Sequence, residues 1–140
     1  MFIPRTSRKV KSDQRENFSD LEIVWLAGLL EGEGSFFLLK SGKYRYPHIA
    51  LNMTDKDVVA RAAEMFGTPV FQFEHGRKQD GSPSRKPVNR AILTGERAAG
   101  FMQAILPYMG IRRTEKINSI VRLWRSRTNP NDLRRAWSQR

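Results

Sequence analysis

The sequence predicts an α+β domain in which helices cover one face of an antiparallel sheet. Three observations predict it. A capping signal at Ser19 opens an apolar run. A two-residue alternation runs through Tyr44–Met53, and a helical-period stripe follows in Val58, Ala62, Met65 and Phe66.

Each element has a local reason. In Ser19-Asp20-Leu21-Glu22 the Ser19 hydroxyl can accept from the Glu22 amide while Glu22 reaches back, a capping box. The helix it opens should run from about Leu21 to Gly32, with Gly34 ending it. Phe36 to Lys40 reads as a strand and Ser41-Gly42-Lys43 as a turn. In the strand Tyr44–Met53, Ile49, Leu51 and Met53 point one way and His48, Ala50 and Asn52 the other. Thr54-Asp55-Lys56-Asp57 starts a second helix, and Gly67 suits its C-terminal cap. Val70 to His75 and Val88 to Leu93 read as strands, separated by the polar, basic stretch Gly76 to Pro87. Residues 96–106 make a third helix, stopped by Pro107. Residues 113–125 make a fourth, with Ile117, Ile120, Val121 and Trp124 on one face. The order is an α-β-β-α-β-β-α core plus a C-terminal helix.

Composition narrows the function. The chain has 140 residues, enough for one compact domain. It carries 25 Lys+Arg against 14 Asp+Glu, a net charge of +11. Seventeen of the basic residues are arginine, whose planar fork pairs with phosphate. That balance points to nucleic acid. The absence of cysteine excludes a disulfide scaffold, a thiolate zinc site and a cysteine nucleophile. No apolar run approaches the ~20 residues of a membrane span. The N-terminus lacks the apolar stretch of a secretory signal, so an intracellular location is expected. Residues 1–18 carry five basic and two acidic side chains, and residues 125–140 five and one. They read as basic extensions, giving 1–18 as an N-terminal arm, 19–126 as the domain and 127–140 as a C-terminal tail.

The open sheet face should present Tyr44, Tyr46, His48, Asn52, Gln72, Glu74 and Arg90. Lys40, Lys43, Arg45, Arg77, Lys78, Arg85 and Lys86 should sit near the turns. These side chains can bond base edges and phosphates, and a two-stranded ribbon fits a major groove ~12 Å wide. An ordinary solvated sheet face is the alternative.

The first helix ends oddly. Glu31 and Glu33 lie among glycines at its C-terminus, where the helix dipole disfavours acids. Something positive should offset them, and a divalent cation is the simplest candidate. Gly28 and Gly32 lie on one face and admit another helix closely, and a second copy of the chain is the obvious partner.

Leu26-Ala27-Gly28-Leu29-Leu30-Glu31-Gly32-Glu33-Gly34 resembles, position by position, the signature of the LAGLIDADG homing endonucleases, with Glu at both acidic positions. The element order agrees, and the resemblance covers roughly residues 19–126. It implies a single-motif homodimer joined through Leu21, Trp25, Gly28, Leu29 and Gly32, with two sheets forming a saddle on double-stranded DNA. It implies Mg²⁺, with Mn²⁺ as a substitute, on the Glu33 carboxylate and the Gly32 main-chain carbonyl, and Glu31 ranked second. Asp55 falls where the family positions a catalytic water, although a helix-start acid explains it equally well. Arg112 falls at a basic active-site position where many members have Lys, and Lys116 is its backup.

The implied activity is site-specific double-strand cleavage of a long pseudo-palindromic target, leaving 3′ overhangs. Intron or intein homing is the implied context. The alternatives on the same fold are a non-cleaving DNA-binding regulator and a group I intron RNA maturase. A basic structural protein of a nucleoprotein particle leaves the Glu31/Glu33 pair without a reason.

Overall fold

The computed structural model describes residues 18–127 other than 75, 83 and 84, with nothing stated of the residue 127 side chain. The two basic extensions beyond those limits, His75 and Trp137 lie outside the described residues. The order is α1 (Asp20–Glu33), β1 (Gly34–Ser41), β2 (Tyr44–Met53), α2 (Lys56–Phe66), β3 (Phe71–Phe73), β4 (Val88–Thr94), α3 (Glu96–Ile105) and α4 (Ile111–Arg127). A 3-10 turn at Leu106–Tyr108 joins the last two helices.

The capping box forms as the sequence predicts. The Glu22 amide donates to Ser19 Oγ at 3.2 Å, and the Ser19 amide donates to Glu22 Oε1 at 3.2 Å. Phe18, just before the cap, is 6% exposed and its ring lies 5.8 Å from that of Phe101. It packs in the same cluster as Ile23, the two positions of a hydrophobic staple. The folded domain thus begins no later than Phe18, one residue before the predicted boundary.

At the other end of α1, a Cβ on Gly34 would meet the Leu30 carbonyl oxygen at 2.7 Å. Only glycine lets the chain leave the helix there and enter β1 at once. The β1–β2 turn has positive φ only at Gly42, the pattern of a two-residue type II′ hairpin. Helix α2 ends in a Schellman motif: Gly67 takes φ 71°, and the Gly67 and Thr68 amides donate to the Glu64 and Ala63 carbonyls.

The sheet is antiparallel throughout, in the order β1-β2-β4-β3. All four helices pack on it, and their buried residues meet Phe36, Ile49, Leu51, Ala91 and Leu93. Helix α2 buries Val59, Ala62, Ala63, Met65 and Phe66, so its stripe is centred one residue later than the predicted Val58. Helix α4 buries Ile117, Ile120 and Val121 as expected, but starts two residues early. Among the described residues the opposite sheet face carries no helix.

The third strand departs from expectation. It spans three residues rather than the predicted six, and all three are exposed. Its register pairs Phe71 with Arg90, Gln72 with Asn89 and Phe73 with Val88. Asn52 also pairs with Arg90, so Phe71 and Phe73 stand on the open face and Gln72 on the helix side.

Candidate active site and nucleic-acid interface

The two acids at the end of α1 have different surroundings. Glu31 accepts a short hydrogen bond from the Gly110 amide, at the start of α4. Its other carboxylate oxygen lies 3.4 Å from Arg113 Nε. Arg113 also donates to the Gly34 carbonyl, and its guanidinium carbon lies 5.5 Å from the Phe36 ring centroid. A Cβ on Gly110 would stand 2.7 Å from Glu31 Oε1, so a larger residue there would push this carboxylate aside. Glu31 thus locks α1 to α4. A cation at Glu31, its second-ranked ligand, would have to compete with these contacts within the chain. The positive offset anticipated at this acid is Arg113 together with the N-terminal end of α4.

Glu33, the last residue of α1, is exposed and makes no hydrogen bond or ion pair among the described residues. Gly32 is exposed in the last turn, past Leu30, whose carbonyl accepts the Gly34 amide at the helix cap. Among the described residues no three Asp, Glu or His side chains converge. One protomer therefore offers a divalent cation the Glu33 carboxylate and the Gly32 carbonyl. Both are hard oxygen donors suited to Mg²⁺.

Arg112 and Lys116, one turn apart on α4, line an open cleft of about 580 Å³ with Gly34, Ser35, Phe36, Arg113 and Glu115. Neither Glu33 nor Asp55 lines this cleft. The register, with Gly34 opposite Leu51, nevertheless puts Asp55 at the same end of the sheet as Glu33. Asp55 is exposed at the start of α2, and its side chain makes no capping hydrogen bond. The turn before it is fixed by Asn89, 1% exposed, whose amide donates to the Met53 and Thr54 carbonyls at 3.3 and 3.2 Å. Sequence reasoning missed both Arg113 and Asn89.

The open sheet face holds Phe37 and Leu39 of β1, then Tyr44, Tyr46, His48 and Asn52 of β2. Arg90 of β4 and Phe71 and Phe73 of β3 complete it. Tyr44 and Tyr46 are half-buried, with ring centroids 6.3 Å apart. His48 is not an open contact. It is 7% exposed, its ring centroid lies 4.4 Å from that of Phe37, and Nδ1 shares a hydrogen bond of 2.8 Å with Thr94 Oγ1. Burial, then the nearby Arg90 charge, lowers its pKa and favours the neutral ring.

Gln72 is likewise corrected: it faces the helix side and donates to Asn89 Oδ1 at 3.1 Å. Glu74 lies past the end of β3, paired with Arg77 at 3.1 Å. Arg77 also donates to the Gly81 carbonyl, and Lys78, Arg85 and Lys86 are exposed nearby. At the β1–β2 tip, Lys40 and Arg45 are direct cross-strand partners beside Lys43, and all three are exposed. Like charges placed opposite repel, and a phosphate between them removes the penalty.

The outer side of α1 is also exposed. Leu21 is 82% exposed and Val24 44%, and Cβ atoms on Gly28 or Gly32 would meet nothing within 4 Å. Trp25 and Leu29 are half-buried, with Arg61 lying 3.9 Å over the Trp25 ring. Of the five predicted interface residues, Leu21, Gly28 and Gly32 are therefore fully open. Val24, which sequence reasoning missed, joins them.

A four-stranded antiparallel sheet backed by four helices is an α+β arrangement. Among solved structures, the chain is similar to an archaeal intron-encoded homing endonuclease complexed with DNA. The TM-score is 0.57 at 13% identity, covering 83% of this chain and 74% of that one. At that identity the likeness shows the fold. No family model matches the sequence, and no curated protein matches it. Among the described residues no helix is long and apolar enough to cross a membrane.

Proposed function

We propose that this chain is a Mg²⁺-dependent, site-specific DNA homing endonuclease that acts as a homodimer. The observation that carries the reading is α1 itself. Its inner side is in the core, and its outer side is apolar and glycine-lined; among the described residues nothing covers that side or pairs with the Glu33 carboxylate at its end. A helix apolar all round needs a partner on both sides. A second copy packed along Leu21, Val24, Gly28 and Gly32 brings two Glu33 side chains to one axis.

Glu33 and the Gly32 carbonyl would hold the cation. When bound it supplies activation of water and stabilisation of phosphate charge. Arg112 stays protonated and stabilises negative charge on the phosphodiester, with Lys116 one turn away. Asp55, free of a capping role, accepts a hydrogen bond from the attacking water and orients it. The open sheet faces and the basic turns Lys40–Arg45 and Arg77–Lys86 hold duplex DNA. Dimer symmetry then imposes a pseudo-palindromic target of roughly 20 base pairs.

The test is cleavage of a randomised pseudo-palindromic duplex library with Mg²⁺, sequencing the cut ends, with Glu33→Gln in parallel. Discrete double-strand cuts with 3′ overhangs are expected, lost in Glu33→Gln while binding remains. Cutting by Glu33→Gln would remove the metal assignment. Enrichment of bound duplexes without cuts would move the function to a regulator or an intron RNA maturase.

A further inference from the structure

The three-residue strand β3 puts two phenylalanines where the core has no use for them. Phe71 is 49% exposed and Phe73 39%, and the buried cluster closes without either. They stand beside an arginine that is already held. Asn52, Arg90 and Phe71 form one row across three strands on the open face. Arg90 Nε donates to Asn52 Oδ1 at 2.7 Å, and the guanidinium carbon lies 4.9 Å from the Phe73 ring centroid. The terminal guanidinium nitrogens make no hydrogen bond among the described residues.

We propose that the Asn52–Arg90–Phe73–Phe71 cluster is a preset base reader for duplex DNA: Arg90 takes the O6/N7 edge of a guanine, and the two phenylalanines contact the 5-methyl group of a thymine in a neighbouring base pair. The inference deepens the proposed function and rests on its DNA reading. Guanine's major-groove edge accepts two parallel hydrogen bonds, which suits a guanidinium whose Nε is already engaged. Asn52 and Phe73 fix the side chain beforehand, so little rotamer freedom is lost on binding. The thymine methyl is the one apolar feature of the major groove, and Phe is among its recognised contacts.

Exposed aromatic rings on a sheet can instead stack the splayed bases of single-stranded RNA. Here the Arg90 guanidinium already lies over the Phe73 ring, where a stacked base would have to go. The cationic hairpin Lys40–Arg45 on the same sheet favours a rigid phosphate backbone.

The full chain, kept from cutting by omitting divalent metal, is used to select bound duplexes from a random library. Each guanine of the selected site is then replaced in turn by 7-deazaguanine, and each thymine by uracil. Affinity is measured for the natural chain, Arg90→Ala, Arg90→Lys, Phe71→Ala and Phe73→Ala. At one guanine, 7-deazaguanine is expected to weaken the natural chain by about 5- to 150-fold. The same change should have no effect on Arg90→Ala and a smaller effect on Arg90→Lys, whose ammonium can still donate to the guanine edge. At a neighbouring thymine, uracil should weaken the natural chain about fourfold. That loss should vanish in the Phe71→Ala and Phe73→Ala variants. All four substitutions are at exposed positions, and far-ultraviolet circular dichroism checks their folding. A clear selected site whose modified bases are felt equally by all five proteins would overturn the reader while leaving DNA binding intact. Failure to select any duplex, with tight binding to single-stranded RNA, would remove the reader together with the DNA reading beneath it.

Discussion

On its inner side α1 buries Ile23, Leu26, Ala27 and Leu30. On its outer side Leu21 and Val24 are exposed, and Gly28 and Gly32 leave open space. Both sides are apolar, yet only the inner one does anything for the isolated chain. The sheet repeats the contrast. Its inner face is core, while its outer face carries Phe71, Phe73 and Arg90 in exposed positions. Inner residues therefore answer to folding; if the outer ones answer to the proposed association, substitutions on the two sides should separate cleanly.

The largest effect is expected on the inner side. Leu26→Ala should lower stability by about 2–5 kcal/mol in urea unfolding, through lost burial and a residual cavity. Arg113→Ala comes next. It strips Glu31 and the Gly34 carbonyl of a partner, and Glu31 is itself about a third exposed. A loss of about 1–3 kcal/mol is expected by the same measurement. If Arg113→Ala unfolds like the natural chain, α1 and α4 are not tied through it.

Gly28→Leu inverts the pattern. With nothing for the new side chain to strike, the protomer should gain up to about 1 kcal/mol from helix propensity. Sedimentation should show the dimer lost. A stable Gly28→Leu dimer would mean that another surface joins the copies.

The smallest effect is a pH dependence. The pKa of His48 is lowered in the folded chain, so the unfolded chain takes up its proton first. The stability this group contributes is complete above its ordinary pKa of 6.5 and falls as pH drops below that value toward the folded one. The urea midpoint should decline in that window, and His48→Gln should flatten the decline.

Much of this was legible in the sequence because it is local. The capping box at Ser19, the Tyr44–Met53 strand and the Gly67 cap are written in residues a few positions apart, and the structure reproduces each. The open sheet face was read by parity plus the assumption that polar residues point outward. That assumption failed at Phe71-Gln72-Phe73. Alternation separates two faces without saying which is outer, and Gln72 turns inward because buried Asn89 offers it a partner. The proposed site is read from a contiguous motif, at Gly32 and Glu33. Arg113 was not, because its partners Glu31 and Gly34 lie far back in the chain and no spacing rule connects them.

The Glu31–Gly110 hydrogen bond joins residues 79 positions apart. A ribosome adding about 5–20 residues per second needs roughly 4–16 s to make that interval. During nascent-chain growth, α1 and the first hairpin emerge well before the segment that fastens the end of α1. A chain interrupted before residue 110 can build its sheet edge and never seat its acidic terminus. Whatever chemistry depends on that seat is withheld until residue 110 has been made.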